Sequence, residues 1–352
     1  MTNFIKLKKI ALGLNIQPGP FGGGNQFARE LSAYLQSKNI QITNSLADPD
    51  IDSILLTSLK PWTKSGHLSL AAARRYQLKH PQTSIILRVN ECDERKKQKP
   101  FLNHLIRQAI PCVDHTVFVS QWLHQHITEK NPRLLKLSSA IPNGVNTNIF
   151  NPSNSSAWDK KSPLKLVTHH WSANWHKGWD IYSYLDQLLS GALKNKIEFT
   201  FIGNLPKNLN LKNTHHIKPL AGLALAQQLK QHHVYITASL FEPGPMHVLE
   251  AIACGLPVLY RPSGSLTEYI GSAGLAFSSK ADFLPALKKI TAEYTSWQKN
   301  AAAHSASSND TAQAYLDLLA NLTPRSHKPG YLSLLPLTAI IFLRDYLAAQ
   351  KT

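Results

Sequence analysis

Two carboxylates, Glu242 and Glu250, bracket the part of the chain richest in potential chemistry. The intervening Pro243-Gly244-Pro245 reads as a tight turn. An apolar helix follows from about Pro245, Gly255 ends it, and Pro257–Tyr260 resumes as a strand. Pro243 and Pro245 carry no amide hydrogen, so the free donors at the turn are Gly244, Met246, His247 and Val248. A helix start that presents N–H groups seats a phosphate or sugar hydroxyls. Two acids at different depths along such a helix suit two tasks on one elongated ligand. The plainer reading is an amphipathic helix with Glu250 in solvent. A second glycine-rich element, Gly22-Gly23-Gly24, follows an apolar run at Lys9–Leu14. With no Cβ in the way, a ligand can approach that backbone closely, although a flexible turn has the same composition.

These loops need rigid elements to hold them. Short apolar runs at Ile51–Ser58, Ser84–Asn90 and Thr116–Ser120 read as strands, separated by helical patterns such as Leu68–Leu78 and Gln121–Ile127. The alternation breaks in the Pro/Gly/Asn/Ser-rich stretch 141–156 and then restarts. Lys165–Thr168, Glu198–Ile202, Val234–Thr237, Pro257–Tyr260 and Gly274–Phe277 read as strands, and Thr311–Leu319 as a late helix. Strands alternating with helices predict parallel sheets covered on both faces. The expected fold is α/β, with two Rossmann-like doubly wound domains, 1–155 and 156–322, facing a central cleft, and a basic and apolar tail over 323–352. No fixed-period repeat is present, which excludes a solenoid.

The chain has 352 residues and a formal charge of +17, with 43% apolar and 17% charged residues, a composition that folds rather than remaining disordered. Such a basic chain suits nucleic acid, an anionic membrane face or a phosphorylated small molecule. No nucleic-acid-binding signature accompanies the basic clusters, so no nucleic-acid partner is expected. Three scattered cysteines and no C-x-x-C pair argue against disulfides and a cysteine zinc site. No run reaches the ~18–20 apolar residues of a spanning helix, and the first residues do not form a signal peptide. A cytoplasmic setting is expected, peripheral at most to the inner membrane face. The apolar run Leu332–Leu343 would then lie in the interface over 325–348, with Arg325, His327 and Lys328 meeting lipid phosphates. The alternative is a terminal helix docking back on the first domain.

Glu242-x7-Glu250 followed by Ala-Ile-Ala-Cys-Gly-Leu-Pro-Val resembles the signature of the retaining glycosyltransferases of family 4, which have the GT-B fold. Gly22–Gly24, Val119-Ser-Gln-Trp-Leu123, Ile141-Pro-Asn-Gly-Val145 and Lys177-Gly178 resemble further motifs of that family, in the same order, across roughly residues 7 to 320. The resemblance implies transfer of a sugar from a nucleotide-diphosphate sugar to an acceptor hydroxyl, with the anomeric configuration kept. Separately, the basic surface and the apolar tail lead to the expectation of a glycan or lipid-linked acceptor and of surface glycan synthesis. No cofactor or metal is implied, the nucleotide sugar being a co-substrate. Glu250 would bind the ribose hydroxyls, and Glu242 would face the donor sugar beside the amides of Gly244, Met246 and His247. Gly22, Gly23 and Gly24 would line the donor side. Lys177 would meet the diphosphate, where a cation aimed at developing charge lowers the barrier.

Two positions depart from the family pattern. Its Gly-Arg before the lysine is replaced, with Ser172 in the arginine's place and Asn174, a histidine or Arg261 as possible substitutes. Its histidine after the fourth strand is replaced by Asn90, at the head of an unusually polar Asn90-Glu-Cys-Asp93-Glu-Arg95. That segment reads as an acceptor-binding or catalytic loop, with helix capping as the alternative. Asp48-Pro-Asp50 reads as a turn with capping aspartates, not a metal motif. Two further functions remain open: a GT-B sugar-nucleotide epimerase or hydrolase, and a non-catalytic basic module that binds nucleic acid or membrane.

Overall fold

The computed structural model describes residues 7–19, 22–59, 68–96, 101–326 and 328. They build two parallel six-stranded sheets. The first contains β1 (Lys9–Leu12), β2 (Gln41–Thr43), β3 (Ser53–Leu56), β4 (Ser84–Val89), β5 (His115–Phe118) and β6 (Ser138–Ala140), in the order 2-1-3-4-5-6. Its helices are α1 (Gly23–Ser37), α2 (Leu70–Lys79), α3 (Leu102–Ala109) and α4 (Gln121–Thr128). The second sheet contains β7 (Leu164–His170), β8 (Ile197–Gly203), β9 (His215–Ile217), β10 (Val234–Thr237), β11 (Val258–Tyr260) and β12 (Gly274–Ala276), in the order 12-11-10-7-8-9. With it come α5 (Trp179–Leu189), α6 (Gly222–Leu229), α7 (Met246–Ala253), α8 (Leu266–Ile270), α9 (Lys280–Ala292) and α10 (Tyr294–Ala303). A last helix, α11, spans Ser308–Asn321.

Every residue of β3, β4 and β10 is buried, because helices cover both faces of each sheet. On the first sheet, Ile54, Leu56, Ile85 and Leu87 pack beneath α2 and α3, while Ile10, Leu12, Leu55 and Ile86 pack beneath α1 and α11. The strand order reverses between β1 and β3, and again between β7 and β10. A doubly wound sheet opens a crevice at such a reversal, beyond the carboxyl ends of its strands. The segments after β1, β7 and β10 therefore form the walls of one cleft.

Helix α11 follows the second sheet in sequence and yet packs on the first. Ala312, Tyr315 and Leu319 join the core that holds Phe27 and Leu31 of α1. The Phe27 and Tyr315 ring centroids lie 5.0 Å apart. The chain thus crosses between sheets twice, and the two crossings run side by side. Val145 N–H donates to the Ala306 carbonyl at 2.8 Å, and Ser308 N–H donates to the Val145 carbonyl at 2.8 Å. A Cβ at Gly144 would lie 2.1 Å from the Ser307 oxygen, which is why the Pro-Asn-Gly sequence suits this crossing.

The basic tail is arranged differently from the expectation. Arg325 and Lys328 do not face outward. The Lys328 ammonium lies 2.6 Å from Asp114 Oδ1, Arg325 N–H donates to the same oxygen at 2.6 Å, and the Arg325 guanidinium donates to the Pro111 and Val113 carbonyls. Asp114 is buried at the foot of β5, and a buried carboxylate requires nearby counter-charge. His327 and the apolar run Leu332–Leu343 lie outside the described residues, among which no helix is long and apolar enough to cross a membrane.

Because Tyr315 is fully buried, Tyr315→Ala is expected to lower unfolding stability by about 3–5 kcal/mol, measured by urea titration of the full chain. A loss below about 1 kcal/mol would mean that α11 is not part of the first core.

Candidate active site

The cleft between the sheets encloses about 240 Å³, and both acids of the Glu-x7-Glu segment line it. Helix α7 holds them there. Pro245 precedes its first residue, and Gly255, with φ of 85°, follows its last turn. Gly255 N–H donates to Ile252 and Leu256 N–H to Ala251, closing the carboxyl end as the glycine stop predicts. At the amino end, two of the four expected free donors are engaged. Met246 N–H donates to the Gly244 carbonyl at 3.0 Å and Val248 N–H to the Pro245 carbonyl at 3.1 Å. The Met246 amide is therefore corrected from a ligand donor to a turn donor, while its side chain still lines the cleft. Gly244 has no room for a Cβ, which would meet Asn143 Nδ2 and Val119 Cγ2 at 2.7 Å each.

The opposite wall begins at the glycine loop. Gly22, at φ of 81°, adopts a conformation that L side chains avoid and starts α1. A Cβ on Gly23 would lie 2.7 Å from Met246 Cγ, so the loop reaches across to α7. Asn25 fastens it, accepting from Gln17 N–H at 2.7 Å and donating to the Gln17 carbonyl at 2.8 Å. Gly22, Gly23, Gly24 and Asn90 all line the cleft.

Lys177 sits in a single helical turn, Trp175–Lys177, after β7. Its ammonium lies 2.6 Å from Glu242 Oε2, while Arg95 of the first domain lies 3.5 Å from Glu242 Oε1. Burial alone pushes the Glu242 carboxyl up, but the charges of Lys177 and Arg95 outweigh it and bring it down to about 2. Burial lowers the Lys177 ammonium, with the Glu242 carboxylate opposing it. Phe241, just before Glu242, is held at φ of 51°, backbone strain of the kind that gathers at functional sites. Glu250 Oε2 pairs with His169 Nε2 at 2.8 Å. The adjacent His170 turns to Tyr182 Oη at 2.7 Å, as neighbours on a strand must diverge. Burial holds the His170 and His247 imidazoles well below their ordinary range, so both are neutral at pH 7.

Several expected substitutes for the missing arginine lie elsewhere. Ser172 lines the cleft, but Asn174 accepts from His176 N–H at 2.8 Å and caps the turn that carries Lys177. Arg261 is paired with Asp180 at 2.6 Å. Asp93 also departs from the catalytic-loop expectation: its carboxylate accepts from the amides of Phe101, Leu102 and Asn103 at 2.8–3.0 Å and starts α3. Asp48 and Asp50 hold Lys9 at the amino end of β1, away from the cleft.

Two other contributors, Arg88 and Glu268, carried no sequence signal of their own. Arg88, buried and 3.9 Å from the Phe27 ring centroid, donates to Asn143 Oδ1 at 2.8 Å. Asn143 in turn donates to the Gly244 carbonyl at 3.3 Å, which links β4 to the Glu242 turn. Glu268 of α8 accepts from the Gln121 and Trp122 amides at 2.9 and 3.0 Å, placing a second-domain carboxylate on the positive end of α4. Cys254 is buried, and burial pushes its thiol up to about 12, which makes it unreactive.

Two doubly wound domains with a cleft between their reversal points define a GT-B architecture, and solved proteins share it. HepE of Anabaena, solved in complex with UDP and glucose, superposes with a TM-score of 0.67 over 90% of this chain and 100% of its own, at 14% identity. WaaG, a glycosyltransferase involved in lipopolysaccharide biosynthesis, superposes with a TM-score of 0.62 over 89% of this chain and 100% of its own, at 13% identity. Residues 155–301 match the family described as Glycosyl transferases group 1. The chain has the GT-B fold, and the stretch that matches this family's model lies largely in its second half. A probable sucrose-phosphate synthase from Thermosipho melanesiensis is 25% identical over 200 residues, covering 49% of this chain and 44% of the relative. The chain thus aligns with less than half of that curated relative's length.

Two measurements follow from the site geometry. Glu242 falls from 4.5 to about 2 on folding, so its ion pair stabilises the chain fully above pH 4.5 and loses that contribution as pH falls toward 2. Urea titrations between pH 6 and pH 2 should show that loss in the native protein and not in Glu242→Gln; identical slopes would contradict the assigned pairing. Asp93→Ala should cost about 2 kcal/mol of stability, whereas Asn90→Ala should leave the melting temperature unchanged. The reverse pattern would return Asp93 to the catalytic loop.

Proposed function

We propose that this protein is a retaining glycosyltransferase that moves a hexosyl group from a nucleotide-diphosphate sugar to a hydroxyl of a glycan or lipid-linked acceptor, in surface glycan synthesis. The observation that carries the reading is the convergence of Glu242, Glu250 and Lys177 with the glycine loop and Asn90 on one interdomain cleft. It is supported by the Glycosyl transferases group 1 match and by the UDP and glucose bound to HepE.

In this mechanism Glu250, steadied by His169, accepts hydrogen bonds from the ribose hydroxyls. Among the described residues, the Gly244 and His247 amides have no carbonyl partner and face the donor. As the bond from the anomeric carbon to the diphosphate lengthens, negative charge gathers on the leaving oxygen. Lys177, buried and therefore poorly screened, stabilises that charge. The acceptor hydroxyl attacks from the face the diphosphate is leaving, and its proton passes to the departing phosphate, so no separate base is required. Glu242 lies beside the sugar and offsets the positive charge that develops at the anomeric carbon. Asn90, lacking a titratable proton, hydrogen-bonds the sugar from the opposite wall.

The test is a thermal-shift screen of nucleotide sugars, starting with UDP-glucose, followed by transfer assays with any donor that stabilises the fold. One donor should raise the melting temperature and be consumed faster with acceptor present, giving a product of unchanged anomeric configuration by NMR. Lys177→Ala, measured on folded protein, should lower kcat/KM by roughly 10²–10³. No stabilisation by any nucleotide sugar would overturn the reading. Donor consumption that ignores every acceptor would replace it with an epimerase or hydrolase.

A further inference from the structure

Lys177 and Glu242 lie 2.6 Å apart, so the lysine's charge is already matched by a carboxylate before any ligand arrives. A diphosphate brings at least two further negative charges, and the start of α7 supplies only partial positive charge. The cleft therefore needs another cation close to Lys177. Other arginines lie in or near the cleft, but among the described residues none besides Arg95 comes within ion-pair distance of the Lys177–Glu242 pair. Arg88 lines the cleft but is buried against Phe27, with one nitrogen on Asn143 and its Nε and Nη1 unpartnered. Arg261 is paired with Asp180, and Arg29 lines the cleft from an exposed position on α1.

Arg95 is different. It lines the cleft from the first domain and is partly exposed. Its guanidinium lies 3.5 Å from Glu242 and 3.9 Å from Glu91, both beyond the ~2.7–2.9 Å of a charge-assisted hydrogen bond. The fork is thus attracted by these acids but bonded tightly to neither. One carboxylate also spans both cations, with Lys177 on Oε2 and Arg95 on Oε1. Two cations bridged by a single carboxylate are spaced for a phosphate group, which has similar dimensions and more oxygens to offer.

We propose that Arg95 is the second cation of the diphosphate site, reaching from the first domain to meet Lys177 across the cleft. This rests on the function proposed above. The arginine absent at Ser172 is replaced from the opposite wall, so a bound diphosphate is held by both domains. Donor binding exchanges Arg95's long contacts with Glu242 and Glu91 for short bonds to phosphate oxygens. No covalent step involves Arg95; it binds the phosphates and stabilises the charge on the leaving group.

The experiment compares UDP and UMP binding by calorimetry, with ADP and GDP as further probes. The native protein should bind at least one diphosphate. Arg95→Ala should weaken that diphosphate about tenfold or more and change the matching monophosphate by no more than about twofold. Arg95→Lys, which keeps a point charge and loses the planar fork, should fall between. Adding Ser172→Arg to Arg95→Ala should recover most of the loss, because it returns a cation from the other wall. An unchanged diphosphate affinity in Arg95→Ala would overturn the assignment, as would equal losses for diphosphate and monophosphate, the mark of a merely structural residue. Native protein that binds none of the diphosphates would overturn the parent function itself, a result distinct from either.

Discussion

A buried carboxylate can remain ionised only where cations and hydrogen bonds replace the water it has lost. Glu242 meets that condition by drawing on both halves of the molecule, with Lys177 on one oxygen and Arg95 on the other. The consequence reaches beyond the acid itself. Because one cation belongs to each domain, the ion cluster favours a molecule whose two walls lie close together. The neutral His170 and His247 line the same space without adding to the positive charge.

The backbone delivers these groups by a simple rule. Each sheet reverses its strand order once near its centre, and the loops beyond that reversal have no neighbouring crossover to cover them. The glycine loop follows β1, Lys177 follows β7, and Glu242 follows β10. The two domains are then held in register by contacts that involve no ligand. Asn143 joins Arg88 to Gly244, Glu268 sits on the first turn of α4, and the two interdomain crossings hydrogen-bond at Val145 and Ser308. Helix α11 completes the arrangement by returning to the first core. The segment 141–145 and its partner at 306–308 are thus the paired backbone links between the domains.

Much of this architecture was legible in the sequence, and the exceptions have a common cause. The central strands announced themselves as apolar runs because both of their faces are covered. The strands the sequence did not reveal, β2, β6 and β9, are all at sheet edges. An edge strand pairs on one side only, and the half-exposed Gln41–Thr43 and His215–Ile217 need no apolar run. Asp93 was misleading for a related reason. A dense polar segment after a strand looks alike whether it faces substrate or, as Asp93 does, caps a helix that starts nine residues later. The direction of its carboxylate, toward the Phe101–Asn103 amides, decides the matter. Arg325 and Lys328 read as a free basic tail because their partner, Asp114, is more than two hundred residues earlier in the chain.

The sequence by itself determined the class of fold, the order of the elements, and which local segments place glycines, prolines and acids where a ligand can be held. Those are properties of short stretches, set by strand and helix periodicity and by the conformational limits of glycine and proline. Only the tertiary structure decided which charges meet. Arg95 and Glu242 are 147 residues apart, as are Gln121 and Glu268, and nothing in either neighbourhood specifies the other. Electrostatic pairing depends on distance and burial in three dimensions, and both come into being when the two sheets close on each other.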